Sequence, residues 1–433
     1  MQHLTKRFLK YVSFNIIAMI GFSCYILADT FFIADALGRN GLAALNFSIS
    51  FFSILQGLGL MIGIGGATRF SILKTDSSQK KQSIVYMHSL IMGGFVALVF
   101  VIISIFFTTP LSRILGADEI TLPLTKVYLS TILGFSPFFV MNNILLAFIR
   151  NDNNPKLSMA AMLISSFSNI ILDYIFIFPL SLGILGAAVA TGFSPIISLC
   201  VLSIHFIQKK QGFHLCKFKI HISEFVDIIL LGLSSFIGEL ASAISLFTFN
   251  LVILKLAGNT GVAAYGIIAN IALIATAVFT GAAQGIQPLA SEYYGKGDIG
   301  SIRAISRLGT ITCIVLAFIM YAVVFLFSDP IVAIFNSEGN NILAEIAGSG
   351  LKIYFTGYFF AGVNIVFIAF LSAVSRSKPA MLLSVLRSCV FLVPFVLFFS
   401  MIFGTDGVWL SFVITEVLFF LVSRFWMLSL KKI

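Results

Sequence analysis

Long apolar runs separated by short polar interruptions dominate the chain. A helix needs about 20 apolar residues to cross the hydrocarbon layer of a bilayer. Twelve stretches meet that length: 11–36, 42–70, 84–107, 122–149, 157–178, 183–207, 225–257, 262–289, 304–327, 345–372, 380–403 and 407–430. Several connections between them are short and carry turn chemistry, as in Gly38-Arg39-Asn40-Gly41, Gly258-Asn259-Thr260-Gly261 and Asn153-Asn154-Pro155. The basic opening MQHLTKRFLK runs into the apolar stretch 11–36, too long for a cleaved signal peptide and without a clean small-residue cleavage site. It reads as the first span, retained in the mature protein.

The pattern repeats at an offset of about 220 residues. Gly38-x-x-Gly41-Leu-Ala-Ala follows the first span and Gly258-x-x-Gly261-Val-Ala-Ala the seventh. Gly183-x-x-Gly186-Ala opens the sixth span and Gly404-x-x-Gly407-Val the twelfth, while Pro155 and Pro379 occupy matching loops. Six spans per half is an even number, so the halves share one orientation and relate by an axis along the membrane normal. The expectation is an all-α polytopic membrane protein, twelve transmembrane helices in two pseudo-symmetric six-helix bundles. The domains would be residues 1–215 and 216–433.

Composition agrees: 59% of the 433 residues are apolar and 10% are charged, against about 25% charged in a soluble domain. That excludes an ordinary water-soluble protein, and the aliphatic and aromatic wealth excludes disorder. The net charge of +10 would suggest nucleic acid in a soluble protein, but its distribution explains it otherwise. Of 27 Lys and Arg, only Arg39, Arg113, Lys126, Lys255 and Lys352 fall on the side opposite the termini, and Arg387 lies within a span. The other 21, Lys209, Lys210, Lys431 and Lys432 among them, share the side of the termini, which the positive-inside rule places in the cytoplasm. Five scattered cysteines form no CxxC and no zinc pattern, and read as buried, inert thiols. The histidines at 3, 88, 205, 214 and 221 fall mostly near span ends. No G-x-x-x-x-G-K-[ST] loop is present, so uphill transport would draw on an ion gradient rather than a bound nucleotide.

Ionisable groups inside a membrane are costly and mark function by default. Asp29 sits in the first span and Asp173 in the fifth, with Asn169 one turn from Asp173 on the same face. At 1.5 Å per residue, Asp29, Asp173 and Thr191 of the sixth span lie about 8–12 Å below the helix ends opposite the termini. Two carboxylates, an amide and a hydroxyl at one depth suit a proton relay or a Na⁺ site; they would also serve as a self-satisfying packing cluster. The second half offers Glu239, Gln284, Gln287, Arg387 and Glu416 as cavity or gating candidates. Arg387 and Glu416 lie mid-span and could neutralise each other, and Glu239 could face a central cavity and attract cationic molecules.

Joint order and spacing then carry a resemblance. Asp29-Thr30-Phe31-Phe32-Ile33 precedes Gly38-x-x-Gly41-Leu-Ala-Ala, followed by Arg150-Asn-Asp-Asn-Asn-Pro155-Lys, Asn169-Ile-Ile-Leu-Asp173, Gly186-Ala-Ala-Val-Ala-Thr191 and Gln284-Gly-Ile-Gln-Pro288 with Tyr294-Gly295. In these motifs the chain resembles the multidrug and toxic compound extrusion (MATE) family across nearly its whole length. The resemblance implies a two-lobed exporter that exchanges cytoplasmic drugs for H⁺ or Na⁺, with a cation site in the amino-terminal lobe. By position that site is Asp29, Asn169, Asp173 and Thr191, the residues that would hold Na⁺, with Asn143 of the fourth span as a nearby member. Glu239 resembles an acidic position in the seventh helix of some relatives. Where family members often carry a proline in the first span, this chain reads Phe14-Asn15-Ile16-Ile17-Ala18.

The function expected is secondary active efflux of amphipathic, cationic small molecules by a monomer in a bacterial-type cell membrane, with no cofactor, no nucleic acid and no enzymatic reaction. The alternatives are a lipid-linked oligosaccharide flippase of the same superfamily, whose cavity would be strongly cationic, and a non-transporting receptor or scaffold.

Overall fold

The computed structural model describes residues 2–75, 79–208, 212–336 and 339–429. Lys209, Lys210, Lys431 and Lys432 lie outside it, as do the side chains of Arg39, Thr75, Ser388, Cys389 and residues 425–429. Eight helices are long and apolar enough to cross a membrane, and two bent pairs bring the number to ten. Two of the eight are double, because Gly258 and Gly404 interrupt them with non-helical dihedrals. Among the described residues the chain therefore makes twelve spans.

We label them α1 (Gln2–Gly38), α2 (Asn40–Ile72), α3 (Gln79–Phe106), α4 (Leu122–Gly134 with Ser136–Asn151), α5 (Pro155–Ile177) and α6 (Gly183–Ile207). The second half holds α7 (222–257), α8 (259–295), α9 (Ile299–Phe335), α10 (Asn341–Thr356 with Tyr358–Ala373), α11 (377–403) and α12 (405–429). Every predicted span has its helix, but several helices run longer than predicted. Hydropathy marks the hydrocarbon, whereas a helix continues into the interface where Lys and Arg stems reach water; α1 accordingly begins at Gln2 and carries Lys6, Arg7 and Lys10. It runs on to Gly38 without a break.

Local chemistry sets the ends. The Asn154, Asp298 and Asn340 side chains accept from the backbone N–H of Leu157, Ser301 and Leu343, capping α5, α9 and α10. Gly38, Gly258 and Gly404 share φ near +60° with ψ between −135° and −155°, a region open essentially to glycine alone. The repeat seen in the sequence is thus a repeat of backbone geometry. The bends recur too, 49° in α4 before Pro137 and 47° in α10 at Gly357.

The buried apolar side chains gather into two main cores. One draws on residues from Ala18 to Ile228, the other on residues from Phe249 to Phe412 together with Leu4, Phe8, Tyr11 and Val12. The first turns of α1 thus pack against the second bundle. Large apolar residues such as Phe95, Phe106, Phe318 and Met401 face outward, as lipid requires. Among the described thiols Cys24 and Cys200 are exposed, Cys216 is half-buried and Cys313 is buried, which corrects the expectation of uniformly buried cysteines; the first two lie on outward helix faces rather than in a core.

On the side of the amino terminus the bundles close on each other by backbone contact. A Cβ on Gly65 would strike the Ile228 carbonyl, and one on Gly232 the Met61 carbonyl, so α2 and α7 touch main chain to main chain. Against α1, a Cβ on Gly281 would lie 2.7 Å from the Asn15 carbonyl and one on Gly285 2.6 Å from Val12 Cα. Small residues permit such approach between helices in a membrane. The connection between the bundles is pinned to the first of them. Asp152 accepts from the Gly212 N–H at 2.6 Å and pairs with His205 Nε2 at 3.0 Å. Phe213 is fully buried against Phe70, Tyr86, Phe148 and Phe206, and the His221 N–H donates to His88 Nε2 at 3.0 Å.

Gly232→Ala is expected to destabilise the purified protein by about 1–3 kcal/mol, the usual cost of overpacking, read as a lower thermal midpoint. Gly266→Ala, whose Cβ meets nothing within 4 Å, is expected to leave the midpoint unchanged or raise it slightly.

Candidate ion and substrate sites

In the first bundle the structure brings Asp29, Asn169, Asp173 and Thr191 together. They come from α1, α5 and α6 and are 7%, 0%, 0% and 5% exposed, so water does not solvate the carboxylates. The Asn169 amide nitrogen donates to Asp173 Oδ2 at 3.1 Å, and its carbonyl accepts from the Thr191 N–H at 3.2 Å. That fixes α5 against α6 and leaves Asp173 Oδ1, Asp29 Oδ1 and Thr191 Oγ1 buried without a hydrogen-bond partner. Buried polar oxygens in proteins are nearly always satisfied. Three such acceptors from three helices form an arrangement that a proton or an oxygen-seeking cation would complete.

Two tyrosines escaped the sequence reading. Tyr25 and Tyr128 are buried close to both carboxylates, and the Tyr128 hydroxyl lies near the Thr191 side chain without meeting hydrogen-bond geometry. Tyr25 is one helical turn before Asp29, so its face was readable from spacing. Tyr128 lies on a different helix, and no linear pattern connects it to the site. Asn143 does not join this cluster. Its amide donates to Gln56 Oε1 at 2.7 Å, beside Gly59 and Gly63 of α2. A single residue's place along α4 determines its depth but not which neighbour it meets.

Glu239 of α7 lies against α2, where a Cβ on Gly57 would come 3.3 Å from the Glu239 Cβ. It therefore sits between the two bundles at the upper edge of the closed contact, on the same stretch of α2 as Gln56. Arg387 and Glu416 do pair: Arg387 Nη2 and Nε reach Glu416 Oε1 at 2.7 and 2.8 Å. Asn364 of α10, absent from the sequence reading, donates to Glu416 Oε2 at 2.8 Å and to its backbone carbonyl at 3.0 Å. It is the one amide in the apolar run of its helix, a signal the sequence did contain. Arg387 stands at the start of a π-helical turn, 386–392, which breaks the regularity of α11.

The remaining candidates belong to the closed contact between bundles. Gln284 accepts from Arg150 Nη1 at 2.7 Å. Gln287 donates to Thr68 Oγ1 at 2.6 Å and accepts from Asn151 Nδ2 at 3.3 Å. They join α8 to α4 and α2 across the closed contact.

The repeat does not duplicate the carboxylate cluster. At the repeat offset, Phe249 stands where Asp29 does and Phe412 where Thr191 does. Both belong to a stack with Tyr265, Tyr354 and Trp409, with Tyr354 and Phe412 parallel at 4.1 Å. Among the described residues the buried carboxylate oxygens without a partner belong to the first bundle. Among the described residues no group of three or more His, Cys, Asp or Glu is arranged to hold a metal ion.

Comparison with known proteins gives concordant findings. A family model described as MatE matches residues 15–175 and 235–398. The chain is 26% identical over 396 residues to the multidrug export protein MepA of Staphylococcus saprophyticus, covering 91% of this chain and 87% of that protein. The same figures hold for MepA of Staphylococcus aureus. Among solved structures, the outward-facing conformation of a multidrug resistance MATE family transporter of the MOP superfamily aligns with a TM-score of 0.92 at 22% identity, over 99% of this chain and 97% of that one. A Pyrococcus furiosus transporter of the same superfamily, described as having a binding pocket of reverse polarity that suggests a different function, aligns with a TM-score of 0.91 at 22% identity, again over 99% and 97%.

Glu416→Gln is expected to cost about 3–5 kcal/mol, the typical penalty for leaving one member of a buried ion pair uncompensated. Removing both charges, as Arg387→Leu with Glu416→Leu, is expected to restore most of the thermal midpoint that the single change loses.

Proposed function

Because the chain belongs to the MatE family, we propose that it is a secondary active multidrug exporter that exchanges amphipathic, cationic small molecules for H⁺ or Na⁺. The observation that carries this reading is the set of three unpartnered buried oxygens on Asp29, Asp173 and Thr191. Asp29 and Asp173 carry the charge that takes up the ion. Asn169 holds Asp173 in place, Thr191 contributes a neutral oxygen, and Tyr25 and Tyr128 shield the pair from water. The oxygen set fits either cation, so the same residues would hold Na⁺ or share the proton.

The termini and the closed contact lie on the cytoplasmic side in this reading, in keeping with the charge asymmetry of the loops. The structure then corresponds to the state open to the outside, in which the ion would reach the buried carboxylates from the external side. A ligand shifts a conformational equilibrium only by its difference in affinity between the two states. Ion uptake by the carboxylates therefore has to favour the inward-turning state, and cytoplasmic drug loading has to follow ion release. Glu239, between the bundles at the upper edge of the contact, supplies a negative charge for a cationic substrate. The two domains, 1–215 and 216–433, are the bodies that rock, within a monomer surrounded by lipid. The flippase alternative loses its mid-span cation, since Arg387 is neutralised by Glu416.

In proteoliposomes with a fluorescent cation, efflux is expected under an imposed pH or Na⁺ gradient, whichever ion couples, and transport driven by neither would contradict the antiporter reading. Asp29→Asn is expected to reach the membrane in normal amount yet lose gradient-driven efflux; normal dye efflux by this variant would remove the site assignment. Glu239→Gln is expected to raise KM for cationic dyes about tenfold, as the loss of one desolvated charge contact would, with little change for neutral ones.

A further inference from the structure

The contact that closes the bundles on the side of the termini is built in layers of different electrostatic character. At its rim the charges are compensated: Arg7 pairs with Glu292 at 2.7 Å, and Arg69 reaches Glu224 and Asp227 at 3.3 and 3.2 Å. Further in lies a neutral layer of Thr68, Ser71, Asn151 and Gln287, whose side chains satisfy one another. Beside it sits Arg150, 3% exposed. Its guanidinium donates from Nη1 to the amide oxygens of Asn15 at 3.2 Å and Gln284 at 2.7 Å, and Nε has no partner. Among the described residues no carboxylate lies within ion-pair distance of it. One desolvated cation, answered only by dipoles, bridges α4 and α1 of one half to α8 of the other.

A buried charge without a counter-charge remains costly even after the protein relaxes. Hydrogen bonds to two amide oxygens recover part of that. Parting the bundles on this side admits water to Arg150 and removes the cost altogether. The closed contact thus contains, at its centre, a group that is better off when the contact opens, while the glycine approaches and rim ion pairs hold it shut. We infer that Arg150 is a positioning residue for transport: its uncompensated charge keeps the closed side from becoming too stable and so sets the equilibrium between the two access states. It touches neither the ion nor the substrate. Supplying the missing carboxylate should over-stabilise the closed side, and the position that can supply it is Gln284, whose oxygen already lies at ion-pair distance.

The test uses the full-length purified protein carrying Val12→Cys, a position 3% exposed in the α1–α8 contact, labelled with a hydrophilic maleimide and read peptide by peptide so that native cysteines do not interfere. Gln284→Glu is expected to slow labelling at position 12 at least about tenfold, the factor that corresponds to roughly 1.4 kcal/mol, and to lower the kcat of transport by a similar factor with KM little changed. In an Arg150→Gln background the same Gln284→Glu change has no cation to meet, and the slowing is expected to vanish. This dependence on the partner separates an electrostatic role from a merely structural one. Labelling of Gln284→Glu at the parental rate or faster, or equal slowing in both backgrounds, would overturn the inference. The transport readout rests on the exporter reading above and the labelling readout does not, so failure of one is distinguishable from failure of the other.

Discussion

Hydrocarbon does not solvate polar groups, and every ionisable side chain placed inside the membrane has to be answered from within the protein or from solution. Three different answers are found here. Arg387 and Glu416 answer each other, with Asn364 filling the remaining acceptor position. Arg150 is answered by the dipoles of Asn15 and Gln284. Asp173 is answered in part, by the Asn169 amide, and the Oδ1 atoms of both Asp29 and Asp173 are buried without a partner. These answers separate the three sites physically: the first is a satisfied ion pair, the second a cation met by dipoles, and the third a carboxylate pair with unpartnered oxygens, on which the proposed ion coupling rests.

The internal repeat sharpens that ranking. The two halves share positive-φ glycines, a bend midway along the fourth and tenth spans, and six helices each. They differ in what the shared frame holds. Where the first half places Asp29 and Thr191, the second places Phe249 and Phe412 in a stacked aromatic cluster. Aromatic stacking fills that region with apolar contact, whereas the other holds buried carboxylates. The repeat thus supplies two bundles of one frame, and their interiors differ in placing the buried carboxylate pair in only the first, among the described residues.

Much of this was legible in the sequence because hydrocarbon imposes so strong a pattern. Span number followed from apolar length, and the repeat followed from glycine spacing, since only glycine tolerates the dihedrals at residues 38, 258 and 404. Asp29, Asn169, Asp173 and Thr191 were recognisable because polar residues are rare inside spans and these share one depth. Depth did not determine azimuth, however. Asn143 was placed near the carboxylates but turns toward Gln56 on α2, and Gln284 and Gln287 were candidates without a known partner until α8 met α4. Arg150 sat at a span end in the sequence, where a basic residue normally reaches water. Its burial arises from the other bundle folding over it, and no local pattern records that.

In the proposed function the Asp29–Asp173 cluster couples transport to an ion without being needed for the movement of the bundles. Substrate exchange in proteoliposomes tests it most directly, with labelled and unlabelled dye at equal concentration on the two sides and no ion gradient, for the wild type and for Asp29→Asn with Asp173→Asn. The double variant is expected to exchange dye across the membrane still, but to fail to accumulate it when a pH or Na⁺ gradient is imposed. Accumulation at the wild-type level by the double variant would contradict it.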